Sequence, residues 1–234
     1  MRNPNPGYSY SPSANDVLAE ESSRAFMQRV YWWMSVGLAL TGGIAFTVAS
    51  SQQLTALVLP FFFPLLIAEL AVVFLFSFVQ SKVSGAVAAG MFLLYAVLSG
   101  LTFSTIFLQY QLGSIGTAFA ISAGTFGAMS LYGTVTKKDL SGWGSFLMMG
   151  LVGIIIAGIV NIFVQSDMLG FVKSCAAVLI FAGLTAYDTQ KLRQFHAQSG
   201  FSSAMSLSIS GALMLYLDFV NLFLNILRLL GRRR

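Results

Sequence analysis

The sequence has 234 residues, of which 56% are hydrophobic and only 9% are charged. Soluble domains carry about 25% charged residues, so this composition excludes a water-soluble globular protein and calls for a surface that faces lipid. The net charge of +5 comes from Lys and Arg set between apolar runs, which orients loops rather than binding nucleic acid, and one cysteine (Cys175) with one histidine (His196) leaves no internal disulfide framework and too few ligands for a Cys/His zinc site.

In chain order, residues 1–23 are rich in Asn, Pro, Gly and Ser. They predict a largely disordered cytoplasmic tail, followed by a transmembrane domain over 24–234. Seven apolar runs follow, near 30–50, 56–79, 84–107, 113–136, 143–164, 169–190 and 205–228. Each is long enough to cross the ~30 Å hydrocarbon core as a helix. Pro60 and Pro64 fall near the start of the second run, where proline costs a helix least. Gly116, Ala120 and Gly124, and likewise Gly153 and Ala157, recur four apart and are expected to bring helix backbones together.

The basic residues alternate. Arg24 and Arg29, Lys82, Lys137 with Lys138, and Lys191 with Arg193 mark one side, while the joints near 51–55 and 108–112 carry no charge and that near 165–168 carries only Asp167. This pattern predicts a cytoplasmic N-terminal side. Arg228, Arg232, Arg233 and Arg234 depart from it, because a seventh full crossing places them opposite the other cations. The last run is long enough for that crossing, which is the expectation.

Three acids lie inside apolar runs: Glu69, Asp188 and Asp218. A charged Asp at the bilayer centre costs about 3 kcal/mol or more, so each is a functional candidate. Lys191 is three residues after Asp188 and could pair with it on one helix face. Glu69 could instead be a protonated carboxyl hydrogen-bonded across helices. Gly211, Met214, Asp218, Asn221 and Asn225 recur at spacings of three and four, placing a polar stripe on one face of an apolar helix. Such a stripe faces the bundle interior or a wet cavity, where it makes interhelical hydrogen bonds or admits ions, and Asn161 is expected on the same surface. Were Asp188 and Asp218 to converge, one proton would be shared between them, and a divalent cation could replace it. Ca²⁺ takes six to eight oxygens, so that site would be weak and would compete with protons.

Thr185-Ala186-Tyr187-Asp188-Thr189-Gln190-Lys191-Leu192 and Leu215-Tyr216-Leu217-Asp218-Phe219-Val220-Asn221-Leu222-Phe223-Leu224 resemble the last two helices of the Bax inhibitor-1/YccA family. Met129-Ser130-Leu131-Tyr132-Gly133 and Thr136-Lys137-Lys138-Asp139-Leu140 resemble the fourth span and following loop of its bacterial members. The resemblance implies an all-α integral membrane protein in which six helices surround a central C-terminal seventh, in a bacterial cytoplasmic (inner) membrane. It implies a pH-controlled Ca²⁺ leak, with the paired aspartates at Asp188 and Asp218 and the second-helix glutamate at Glu69. Some relatives hold the closed state with an arginine near the end of that helix, where this chain has Val79-Gln80-Ser81-Lys82.

The leading expectation is a proton-regulated cation leak channel or transporter. Asp188 and Asp218 form its pH-sensing pair and a weak Ca²⁺ site, Glu69, Asn161, Asn221 and Asn225 support it as polar lining, and Ca²⁺ is the transported ion rather than a bound cofactor. The alternative is a regulator of membrane-protein quality control or stress survival that binds a membrane protease or other membrane proteins through the tail. No enzymatic role is expected: intramembrane aspartyl proteases place a glycine before one aspartate, and here Leu217 precedes Asp218.

Overall fold

A computed structural model describes residues 14–196 and 204–233. These residues form eight α-helices: α1 (Ala14–Ala49), α2 (Gln52–Val58), α3 (Phe62–Val79), α4 (Gly85–Gln109), α5 (Leu112–Val135), α6 (Ser141–Val164), α7 (Asp167–His196) and α8 (Ala204–Leu230). Segments 23–49, 52–79, 85–109, 112–135, 141–164, 167–194 and 204–230 are long and apolar enough to cross a bilayer, which gives the seven expected spans. α1 begins at Ala14, so residues 14–23, expected as tail, are helical. Residues 1–13 of the predicted tail lie outside the described residues.

The helix starts are set locally. Ser51 caps α2 by accepting from Leu54 N, and Ser84 caps α4 by accepting from Val87 N, both at 3.4 Å. The second span departs from expectation. Because Ser51 starts it early, Pro60 falls inside the span rather than in its first turn, and a 3₁₀ turn over Leu59–Phe61 separates α2 from α3. The missing proline N–H is absorbed by that tighter turn.

α8 is the centre of the bundle. Of its most apolar window 72% is buried, against at most 39% in any other span. α1, α4, α5 and α7 pack directly on it, while α3 packs on α4 and α6 on α7 as an outer layer. The core around α8 includes Phe26, Val30, Phe92, Ile209, Leu215, Tyr216 and Leu222. Tyr216 stacks edge-on against Phe92 and Tyr95, with ring centroids 5.8 and 5.7 Å away.

The close helix contacts are not those the glycine spacing predicted. A Cβ at Gly116, Gly124 or Gly153 would meet nothing within 4 Å, so these residues are not packing contacts. The tight approach is at Gly133, against the backbone of Ala186 in α7, and at Gly144, where a Cβ would lie 2.6 Å from the Tyr187 ring. On α5 the buried residues are Ile115, Ala118, Ser122, Phe126, Ser130 and Gly133, a different stripe from the one Gly116 and Gly124 mark.

The seventh apolar helix runs from one pole of the bundle to the other. Near its start Ser206 Oγ donates to Gln80 O at 2.7 Å, beside the α3–α4 joint. Beyond its end Gln111 N donates to Arg232 O at 3.1 Å and Arg232 N donates to Ser114 Oγ at 3.0 Å, at the α4–α5 joint. Arg232 and Arg233 therefore lie at the opposite pole from Lys82.

Candidate functional site

α7 and α8 bring Asp188 and Asp218 together. Asp218 is buried near the middle of α8, at 5% exposure, and Asp188 is half-buried on α7. Their carboxyl groups are close enough to interact electrostatically. Ionised carboxylates only accept, so a hydrogen bond between them requires a proton. The second carboxyl oxygen of Asp218, Oδ2, is buried with no partner among the described residues. Lys191, one turn beyond Asp188, is near enough to act on it electrostatically, and its ammonium lies 5.4 Å from the Tyr187 ring centroid. The cation beside the pair thus comes from α7 itself. Lys82 is exposed in the α3–α4 joint.

A hydroxyl chain reaches Thr189, the residue after Asp188. Tyr31 OH and Ser130 Oγ are 2.5 Å apart, and Ser130 Oγ and Thr189 Oγ1 are 3.0 Å apart, joining α1, α5 and α7. Gln190 ties the α5–α6 joint to α7: its Oε1 accepts from Leu140 N at 2.8 Å and its Nε2 donates to Lys138 O at 2.9 Å. Arg193 donates to Thr134 O. Ser130, Thr189 and Gln190 sit inside the quoted sequence motifs, which was the available signal for them; nothing in the sequence indicated that they would meet.

The other candidates do not join the pair. Glu69 Oε1 accepts from Thr102 Oγ1 at 2.5 Å, a bond between α3 and α4. The cross-helix hydrogen bond considered for Glu69 is therefore present. Near it lie Ser99, whose buried hydroxyl has no hydrogen-bond partner among the described residues, and the pair Thr41 and Tyr216. Thr41 Oγ1 donates to Ala96 O at 2.9 Å, so Tyr216 OH donates to Thr41 Oγ1 at 2.8 Å. Asn221 and Asn225 turn back on their own helix, donating to Leu217 O and Asn221 O at 2.8 Å each. Asn161 lies at the far end of α6, where its Oδ1 accepts from Ser166 N at 3.0 Å. It belongs to the α6–α7 joint and not to the surface around Asp218. Among the described residues no group of three or more His, Cys, Asp or Glu could hold a metal ion. Two carboxylates offer at most four oxygens, so Ca²⁺ at the pair would need water and carbonyls to complete its shell.

These features define a polytopic α-helical membrane protein built around a helix that carries one of two adjoining aspartates. The family described as "Inhibitor of apoptosis-promoting Bax1" matches residues 23–234, and the chain belongs to this Bax inhibitor family. Over 90% of its length it is 46% identical to the inner membrane protein YbhL of Escherichia coli K12, covering 93% of that protein. It is 49% identical to an uncharacterized protein of Deinococcus radiodurans, with 88% of this chain and 90% of that protein covered. An uncharacterized protein of Borreliella burgdorferi is 41% identical over 89% of this chain and 92% of its own.

Proposed function

We propose that this protein is a proton-regulated cation leak of a bacterial inner membrane, with Asp188 and Asp218 as its gate and Ca²⁺ as the transported ion. The observation that carries the reading is the buried, partnerless Oδ2 of Asp218 opposite Asp188, at the contact of the central helix with α7. With one proton shared, the pair is a hydrogen-bonded contact between two helices. Without it, two like charges face each other in a poorly screened interior, with Lys191 as the nearby cation. Their repulsion favours separation of α7 from α8 and entry of water, and a divalent cation can then take the place of the proton. The inner-membrane assignment follows the E. coli relative, and the charge alternation supports a cytoplasmic N-terminal side.

The test is Ca²⁺ flux into liposomes holding the purified protein, measured across about pH 5 to 8, the range over which a shared carboxyl proton would exchange. An Asp188→Asn/Asp218→Asn variant runs beside it. A flux that depends on pH in the natural protein and loses that dependence in the variant is the expected result. No flux above empty liposomes would overturn the leak and favour a regulator that binds other membrane proteins, with the acids as interhelical contacts. Equal, pH-dependent flux from the variant would move the gate elsewhere in the bundle.

A further inference from the structure

Away from the aspartate pair, at the pole where α8 ends, a cavity of about 500 Å³ opens between the α6–α7 joint and the end of α8. Lys173, Arg228 and Arg233 line it from three places in the chain, against a single carboxylate, Asp167. The side chains of these three cations make no hydrogen bond or ion pair among the described residues, and Arg228 is near enough to Lys173 for the two charges to repel. Like charges gathered in one recess are costly without an anion between them. The floor of the cavity adds a second signal. Ser174 is fully buried among the residues that line the cavity, and its hydroxyl has no hydrogen-bond partner among the described residues. A buried hydroxyl with no partner costs about 1–3 kcal/mol, which a bound acceptor would recover.

The joint itself is shaped for this. Gln165 adopts a left-handed conformation, φ 52°, at the end of α6, and Ser166 caps α7 by accepting from Leu169 N at 3.3 Å. The first turn of α7 borders the cavity through Asp167 and Gly170, beside the C-terminal ends of α6 and α8. Gly158 leaves room for Lys173, whose Nζ lies 3.9 Å from where a Cβ would stand. The surroundings are apolar and outward-facing: Phe163, Met168 and Phe171 are 81%, 72% and 57% exposed. In a membrane-spanning chain these residues meet acyl chains, so the cavity sits where lipid headgroups lie.

We propose that this cavity binds the phosphate of an anionic phospholipid, held by Lys173, Arg228 and Arg233 with Ser174 as a hydroxyl donor from below. Phosphate suits the donors: it offers several acceptor oxygens, guanidinium groups clasp it through two parallel bonds, and basic recesses at a membrane surface take such headgroups. The site also accounts for two of the arginines that break the charge alternation, Arg228 and Arg233, which lipid phosphate rather than loop sidedness would hold.

The experiment is native mass spectrometry of the full chain released from mixed micelles. It counts retained lipid and measures apparent affinity with phosphatidylglycerol, with phosphatidylcholine, and with inorganic phosphate as competitor. The natural protein is expected to retain one phosphatidylglycerol that Lys173→Gln/Arg228→Gln loses or binds about tenfold or more weakly, as expected for removing charge-assisted bonds. Ser174→Ala removes only a hydroxyl and guards against misfolding in the double variant. It is expected to weaken retention about three- to tenfold while leaving the lipid-free protein no less heat-stable. Equal retention by natural protein and both variants would overturn the site. Equal retention of phosphatidylcholine would overturn the requirement for an anionic lipid. Full displacement by millimolar inorganic phosphate would overturn the lipid assignment in favour of a free phosphate.

Discussion

Asp139 shows how one residue's surroundings set its charge. It lies in the α5–α6 joint, outside the spans, and its Oδ1 accepts from the Ser141 hydroxyl and from Ser141 N at 2.9 Å. The Ser141 hydroxyl, followed by its amide, holds the Asp139 carboxyl below its ordinary value. With the folded value depressed, the stabilisation is present above the unfolded pKa and is lost as pH falls through the folded one. Ser141→Ala should therefore move the Asp139 midpoint upward in an NMR titration, while an unchanged midpoint would assign the shift to another cause. At this scale the sequence was informative about which residues matter and poor about where they point. Asp188 and Asp218 were legible because carboxylates in apolar runs are rare. That Asn221 and Asn225 would bond their own helix, and Asn161 cap a distant joint, was not. An amide satisfied locally and one reaching across helices have the same spacing in the chain.

For whole helices, six of the seven spans were legible to within a few residues, because each must supply about 20 apolar residues, while the first begins at Ser23 rather than near residue 30. Which side of a span faces inward was legible only in part. In a soluble helix the polar face marks the outside, but lipid-facing and protein-facing sides are both apolar here. Hence the Gly116–Gly124 stripe misled, and the close approach is at Gly133, where α5 meets the backbone of Ala186. A methyl there must push α5 from α7. Gly133→Ala should destabilise the protein by about 1–3 kcal/mol, the range for overpacking. Gly124→Ala, with open space beside it, should be neutral or slightly stabilising, since alanine favours helix by about 1 kcal/mol over glycine. Thermal unfolding of the two variants in detergent separates these outcomes, and equal effects would contradict the packing described.

Taken as a whole, the molecule has two unlike poles. Lys82, Lys137 and Lys138 lie at one, and Arg232 and Arg233 meet the α4–α5 joint at the other. Single cysteines placed at Lys137 and at Arg233, in a Cys175→Ser background, should be labelled by a membrane-impermeant maleimide from opposite sides of the membrane. Labelling of both from one side would mean that α8 does not cross. The charge alternation alone could not decide this point, because it counts the arginines without knowing what holds them.

The central position of α8 carries a consequence for biosynthesis. It is the seventh span in chain order, yet α1, α4, α5 and α7 all pack on it. During synthesis α1 can pair with α4 and α5 with α7, but the faces of these four helices that pack on α8 stay uncovered until the seventh span arrives. The last-made span therefore completes the core that the earlier pairings begin. A ribosome that stalls before Ala204 leaves the inner faces of α1, α4, α5 and α7 uncovered and Asp188 facing no counterpart.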